Sequence, residues 1–198
     1  MVGAVRAGEA PDEGPDYDPE LWIEVPLFFP FAGWPDAAAW AHDIAEEAAL
    51  RPDEREELAE RARLLAASDW PATRRFWYFP VQGGFEAIVH VIDVDEVIPP
   101  EQVMELLRAD DARVTDPVIE AIDGVPGAWR SAYIVSEGDQ DQRAAMGVVR
   151  AVRMRGEGTT LVELIDADLA AIGVALPDFD ALVGDLQFIG GGVVGGRD

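Results

Sequence analysis

The chain is 198 residues long and carries 39 acidic residues against 15 basic ones, a formal charge of −24. A surface of that sign lacks the clustered cations that phosphate binding needs, so neither nucleic acid nor anionic membrane is an expected partner, and a basic protein is the expected kind. Cysteine is absent, which removes disulfides, thiolate metal sites and cysteine nucleophiles.

This length suits one domain able to bury roughly 70% of its unfolded surface. A hydrophobic content of 49% argues for a packed core. Every basic residue is Arg, with Lys and Asn absent. That bias fits a GC-rich genome, or alternatively a halophilic host, so the acidity itself does not name a function. The first ten residues hold Arg6 and no apolar run, unlike a signal peptide. No stretch approaches the roughly 18 apolar residues of a membrane span. A cytoplasmic location is expected.

Residues 1–20 combine six acids with Pro11, Pro15 and Pro19, the composition of a disordered, solvated tail. A single domain is expected over 21–189, followed by a flexible Gly-rich tail over 190–198. Leu21 to Phe29 alternates like a strand, and Pro26, which has no N–H to donate, places it at an edge or bulge. Pro35 suits a first helical position. Ala37, Trp40, Ala41, Ile44, Ala45 and Ala48 then form a stripe at helical spacing. Pro52 opens a second helix, so the two make a helical hairpin.

Arg74 to Phe79 and Phe85 to Val94 are rich in aromatic and β-branched residues and predict a strand pair covered on two sides, joined through residues 80–84. Pro99-Pro100-Glu101 opens a short helix to Arg108. Strands are predicted over Pro117–Ile122, Gly127–Ser136, Ala145–Arg155 and Thr159–Asp166, and a last helix from Pro177 to Leu186. Hairpin-type connections between these strands imply an α+β fold: a largely antiparallel sheet of six to seven strands flanked by helices, an α/β/α sandwich.

Two segments carry a family resemblance. Ile122-Asp123-Gly124-Val125-Pro126-Gly127-Ala128-Trp129-Arg130 resembles a strand-and-turn motif of the PsbP-like α/β/α superfamily. Leu161-Val162-Glu163-Leu164, followed by Leu176-Pro177-Asp178-Phe179-Asp180-Ala181-Leu182-Val183-Gly184-Asp185-Leu186-Gln187-Phe188, is similar to its closing strand and helix. That superfamily includes photosystem PsbP proteins, a Ran-binding nuclear import factor, LpqN-type lipoproteins and bacterial secretion effector chaperones. The chain departs from it in having no lipobox Cys and in placing Asp185 where Ser is usual. The resemblance implies a non-enzymatic binding or adaptor role.

Candidate chemistry is sparse. His42, with Asp43 beside it and Glu46 one turn on, has no second ligand cluster, so no metal or other cofactor is expected. His90 interrupts the apolar run Ile88–Ile92, and Glu163 interrupts another, where an acid needs a partner or a watery face. With Arg153 they outline a possible sheet-lined pocket. Arg150, Arg153 and Arg155 share one strand, Arg150 pointing away from the other two, with Arg130 on the strand before, and pairing with the chain's own acids is the expected role of all four. Ser68, Ser131 and Ser136 lack a nucleophile-elbow setting, so no catalytic residue is assigned.

Aromatic residues crowd the first 80 positions. Trp22, Phe29, Phe31, Trp34 and Trp70 are the candidate partner-binding residues. The leading expectation is therefore a cytosolic protein-binding adaptor or chaperone-like protein. The alternatives are a small-ligand binder or enzyme built on His90, Glu163 and Arg153, and a purely structural domain.

Overall fold

A computed structural model of the chain describes residues 15–48, 51–79, 85–108, 114–137, 144–156 and 158–189. In order, its elements are β1 (Trp22–Glu24), α1 (Ala37–Glu47), α2 (Pro52–Ala67), β2 (Arg74–Tyr78), β3 (Ala87–Val94), α3 (Pro100–Leu107), β4 (Val118–Ala121), β5 (Ala128–Glu137), β6 (Ala144–Met154), β7 (Thr159–Asp166) and α4 (Leu169–Asp185). The strands form one sheet in the order β1-β2-β3-β7-β6-β5-β4. Every neighbouring pair is antiparallel, as the α+β reading expects. Among the described residues no helix is long and apolar enough to cross a membrane.

Side chains alternate between the two sheet faces, and directly opposed residues share a face. One face carries Phe76, Val89, Leu164 and Val149, aligned by register. Helix α4 packs on it through Ile172, Ala175, Phe179, Leu182 and Val183, all in one buried cluster. Each large apolar side chain buried there contributes roughly 1.5–3 kcal/mol. The other face holds two separate clusters. Trp77 and Ile88 meet Trp40, Ala41, Leu58 and Ala62 of the α1–α2 hairpin. Further along, Val152 and Leu161 meet Val103 and Leu107 of α3.

Among the boundaries that differ from the sequence reading, three have a clear local cause. Strand β1 is three residues long, because pairing ends at the Val25 N–H, which donates to the Arg75 carbonyl at 2.9 Å, and Pro26 has no donor to continue it. Helix α1 begins one residue after Asp36, which is its N-cap and accepts from the Ala39 N–H. Helix α4 starts at Leu169, not Pro177. Asp168 caps it through the Ala170 and Ala171 N–H groups, and Pro177 lies inside the helix. An interior proline costs about 3 kcal/mol. The apolar stripe from Ile172 to Val183 runs through it and outweighs that loss.

Residues assigned to the acidic tail reach into the fold. Asp16 pairs with the buried Arg74 at 2.6 Å, and the Tyr17 ring packs on Phe76 at 5.0 Å between centroids. The packed body thus begins ahead of Leu21. The loop over 80–84 and the Gly-rich end lie outside the described residues. The turn before β5 depends on Gly127, whose φ of +74° suits glycine, and where a Cβ would stand 2.8 Å from the Met154 carbonyl oxygen.

Candidate functional site

The five candidate partner-binding aromatics do not form one surface. Trp22 is buried against Tyr78, 4.8 Å between ring centroids. Phe29 and Trp34 pack onto the hairpin cluster. Phe31 stacks on Trp34 at 6.4 Å, and the Trp34 Nε1–H donates to Asp43 Oδ2 at 2.7 Å. Trp70 stands apart from all four. It is 45% exposed and lies against His90.

That contact opens onto a polar row. Arg75 on β2 is opposite His90 on β3, His90 is opposite Glu163 on β7, Glu163 is opposite Arg150 on β6, and Arg150 is opposite Ser131 on β5. Opposed residues point the same way, so five polar side chains cross the face that carries the hairpin and α3. The row belongs to neither apolar cluster there. It forms a strip between them.

The two cations of the row are held by helix ends. Arg75 is 1% exposed. Its Nη1 donates to the Leu65 carbonyl and to Ser68 Oγ, both at 2.8 Å, and its Nη2 donates to the Ser68 carbonyl at 3.1 Å. Arg150 donates from Nη1 to the Leu106 carbonyl of α3 at 2.8 Å and from Nε to Glu163 Oε1 at 2.7 Å. Neither α2 nor α3 has a basic residue in its last turn. The sheet supplies the positive charge that their C-terminal carbonyls favour.

What remains uncommitted is His90, Ser131 and the Trp70 ring. Burial and the neighbouring positive charge of Arg75 push the His90 imidazole down to about 4. It is therefore uncharged at neutral pH, with one donor and one acceptor nitrogen. Its Nδ1 and the Ser131 Oγ are buried without a hydrogen-bond partner. The Arg150 and Glu163 side chains keep 22% and 16% of their exposure. Such partly open polar groups suit the binding of a polar molecule. They do not suit nucleophilic catalysis: three strand spacings separate Ser131 from His90, about 14 Å at 4.8 Å each.

Of the expected pocket residues, the structure brings His90 and Glu163 together and separates Arg153 from them. Arg153 lies on the opposite face, where its Nη1 donates to the Val183 and Gly184 carbonyls at 2.7 and 2.5 Å, at the end of α4. Arg155 donates to the Leu186 carbonyl beside it. Pairing with the chain's own acids holds for Arg130, with Glu120 and Asp180, and for Arg150 with Glu163. Arg150 replaces Arg153 in the candidate site. Arg75 was not singled out from the sequence; its signal is a charge inside a five-residue strand buried along its whole length.

His42 is exposed, and its neighbours Asp43 and Glu46 are engaged by Trp34 and Arg55. Among the described residues no group of three or more potential ligands is placed to hold a metal. Compared with known proteins, the chain matches no family model, no curated protein and no solved structure.

Proposed function

We propose that the chain is a non-enzymatic binding protein for a small, flat, uncharged polar molecule, held over His90, Glu163 and Arg150 beside the exposed Trp70 ring. The observation that carries this reading is the register of the row: strands distant in sequence place a neutral imidazole next to a carboxylate and a half-exposed indole. Charge within the row is largely answered internally, Glu163 by Arg150 and Arg75 by helix carbonyls, so a neutral ligand fits better than an ion. A flat ring system offering both donors and acceptors would match the imidazole and stack on the indole. The resemblance to a superfamily implying binding rather than chemistry favours the same conclusion.

The test is thermal unfolding of the protein against a panel of nucleobases, nucleosides and neutral aromatic amides. A ligand at a hundredfold its Kd stabilises by about 2.7 kcal/mol, which raises Tm by roughly 5–10 °C in a domain of this size. The rise should vanish in both Trp70→Ala and Glu163→Gln. No rise with any compound, or a rise retained in both variants, overturns the reading.

A further inference from the structure

The acidic hairpin carries a second feature that the polar row does not touch. A groove of about 880 Å³ runs between α1 and α2, lined by the exposed Ala38 of α1, the half-buried Ala59 of α2 and Leu64, with the buried Ala41 at its floor. Its rim is acidic. Asp53, Glu56, Glu57 and Glu60 line it from α2, at the three- and four-residue steps that place them along one face. Glu60 is paired with Arg63. Asp53, Glu56 and Glu57 are exposed and form no ion pair among the described residues. Leu64 is 56% exposed.

We propose that this groove docks a basic amphipathic helix of a partner protein, its apolar face on Ala38, Ala59 and Leu64, its cations against Asp53, Glu56 and Glu57. Small side chains let a third helix approach to the 8–10 Å of ordinary helix packing, where larger ones would fill the space. The unpaired acids select the sign of the occupant. A second copy of this chain, itself carrying −24, meets them with like charge, as does an anionic membrane. A basic helix fits the groove as helix-in-groove partners do, through apolar anchors one turn apart.

The experiment uses a fluorescein-labelled synthetic peptide of about 18 residues, long enough to form helix on binding, with Leu at helical spacing and Arg elsewhere. Its control is the same composition with the spacing scrambled. Anisotropy is read at physiological salt, where non-specific attraction is screened. The expected result is binding at least about tenfold tighter for the patterned peptide. Filling the groove with Ala38→Leu, which leaves the charge unchanged, should weaken it by about tenfold, and Glu56→Arg with Glu57→Arg should do the same. Leu64→Glu, at an exposed position, is a second groove variant if Ala38→Leu unfolds, and circular dichroism identifies the folded variants. Equal binding of both peptides, or unchanged binding in every folded groove variant, overturns the proposal.

Discussion

The Trp70 indole lies nearly parallel to the His90 imidazole, with ring centroids 4.9 Å apart and 24° between the planes. Together with the strand beneath, this cover keeps the imidazole uncharged: burial first, then the Arg75 charge, lowers it to about 4. An unfolded histidine titrates near 6.5. Between these values the unfolded chain takes up a proton that the folded chain refuses, so the contribution is intact above pH 6.5 and falls as pH drops towards 4. The full shift corresponds to about 3 kcal/mol, reduced to about 1–2 kcal/mol because the ring is partly solvated. Urea midpoints of the wild type and His90→Gln, compared from pH 7.5 to 5, should converge as pH falls. Parallel curves would mean that the imidazole is not held neutral.

Arg75 makes a stronger demand. Its guanidinium is buried beneath the end of α2 and satisfies two main-chain carbonyls and one hydroxyl there. Arg75→Met removes the donors and leaves those acceptors unpaired, an expected loss of about 3 kcal/mol. Arg75→Lys keeps the charge but not the planar fork, and should recover less than half of it. Hydrogen exchange distinguishes this from a general loss: in Arg75→Met the amides of the last turn of α2 should open before those of α1. Uniform loss of protection would show that the arginine does not specifically hold the helix end.

The local elements were legible and the site only partly so. β2 with β3, and β6 with β7, follow from aromatic and β-branched runs separated by short turns, which fix pairing between chain neighbours. The polar row depends on β7 entering between β3 and β6, a non-local pairing that no turn specifies. Alternation along β6 already put Arg150 and Arg153 on opposite faces. Which of them would meet His90 awaited the strand order. Pro177 read as a helix start because a proline favours that position in isolation. The apolar stripe on both sides of it, from Ile172 to Leu182, decides otherwise. In the aromatic edge, side-chain type does not reveal that Trp22 is consumed by packing against Tyr78.

On the other face, Tyr78 donates its hydroxyl proton to Asp178 Oδ2 on α4 at 2.7 Å. Burial, then the hydrogen bond and charge of Asp178, push the phenol up to about 12. A raised phenol favours the folded state while it stays protonated, so its contribution is full below pH 10 and is lost as pH rises towards 12. Tyr78→Phe should cost about 1.5–3 kcal/mol, the range for a hydrogen bond to a charged group. Ultraviolet titration of the phenols is the direct check. At pH 11 the folded protein should show fewer than three ionised tyrosines of its three, and the urea-unfolded protein nearly all of them.

Asp16 tests whether the residues ahead of β1 belong to the fold. Its two oxygens accept from Arg74 Nη1 and Nη2 at 2.7 and 2.6 Å, and Oδ2 also accepts from the Gln187 N–H at 2.6 Å. Burial opposes its ionisation, but these bonds and the Arg74 charge outweigh that and hold the carboxyl below its ordinary value. Its contribution is therefore present above the ordinary aspartate range and lost as pH falls through and below it. Arg74 is 8% exposed, and Glu24, with its nearest oxygen 3.6 Å from Arg74 Nε, is the other acid paired with it. Asp16→Asn should cost about 2–3 kcal/mol at neutral pH, because Glu24 still answers the buried cation. Burial raises the Glu24 carboxyl, opposed by the Arg74 charge, so Glu24→Gln alone should cost less. Removing both acids leaves Arg74 buried without either carboxylate. The double variant should lose more than the two single losses combined, by about 1 kcal/mol or more. Additive losses in denaturant titrations would mean that solvent reaches Arg74, and that Asp16 acts through the Gln187 amide rather than the ion pair.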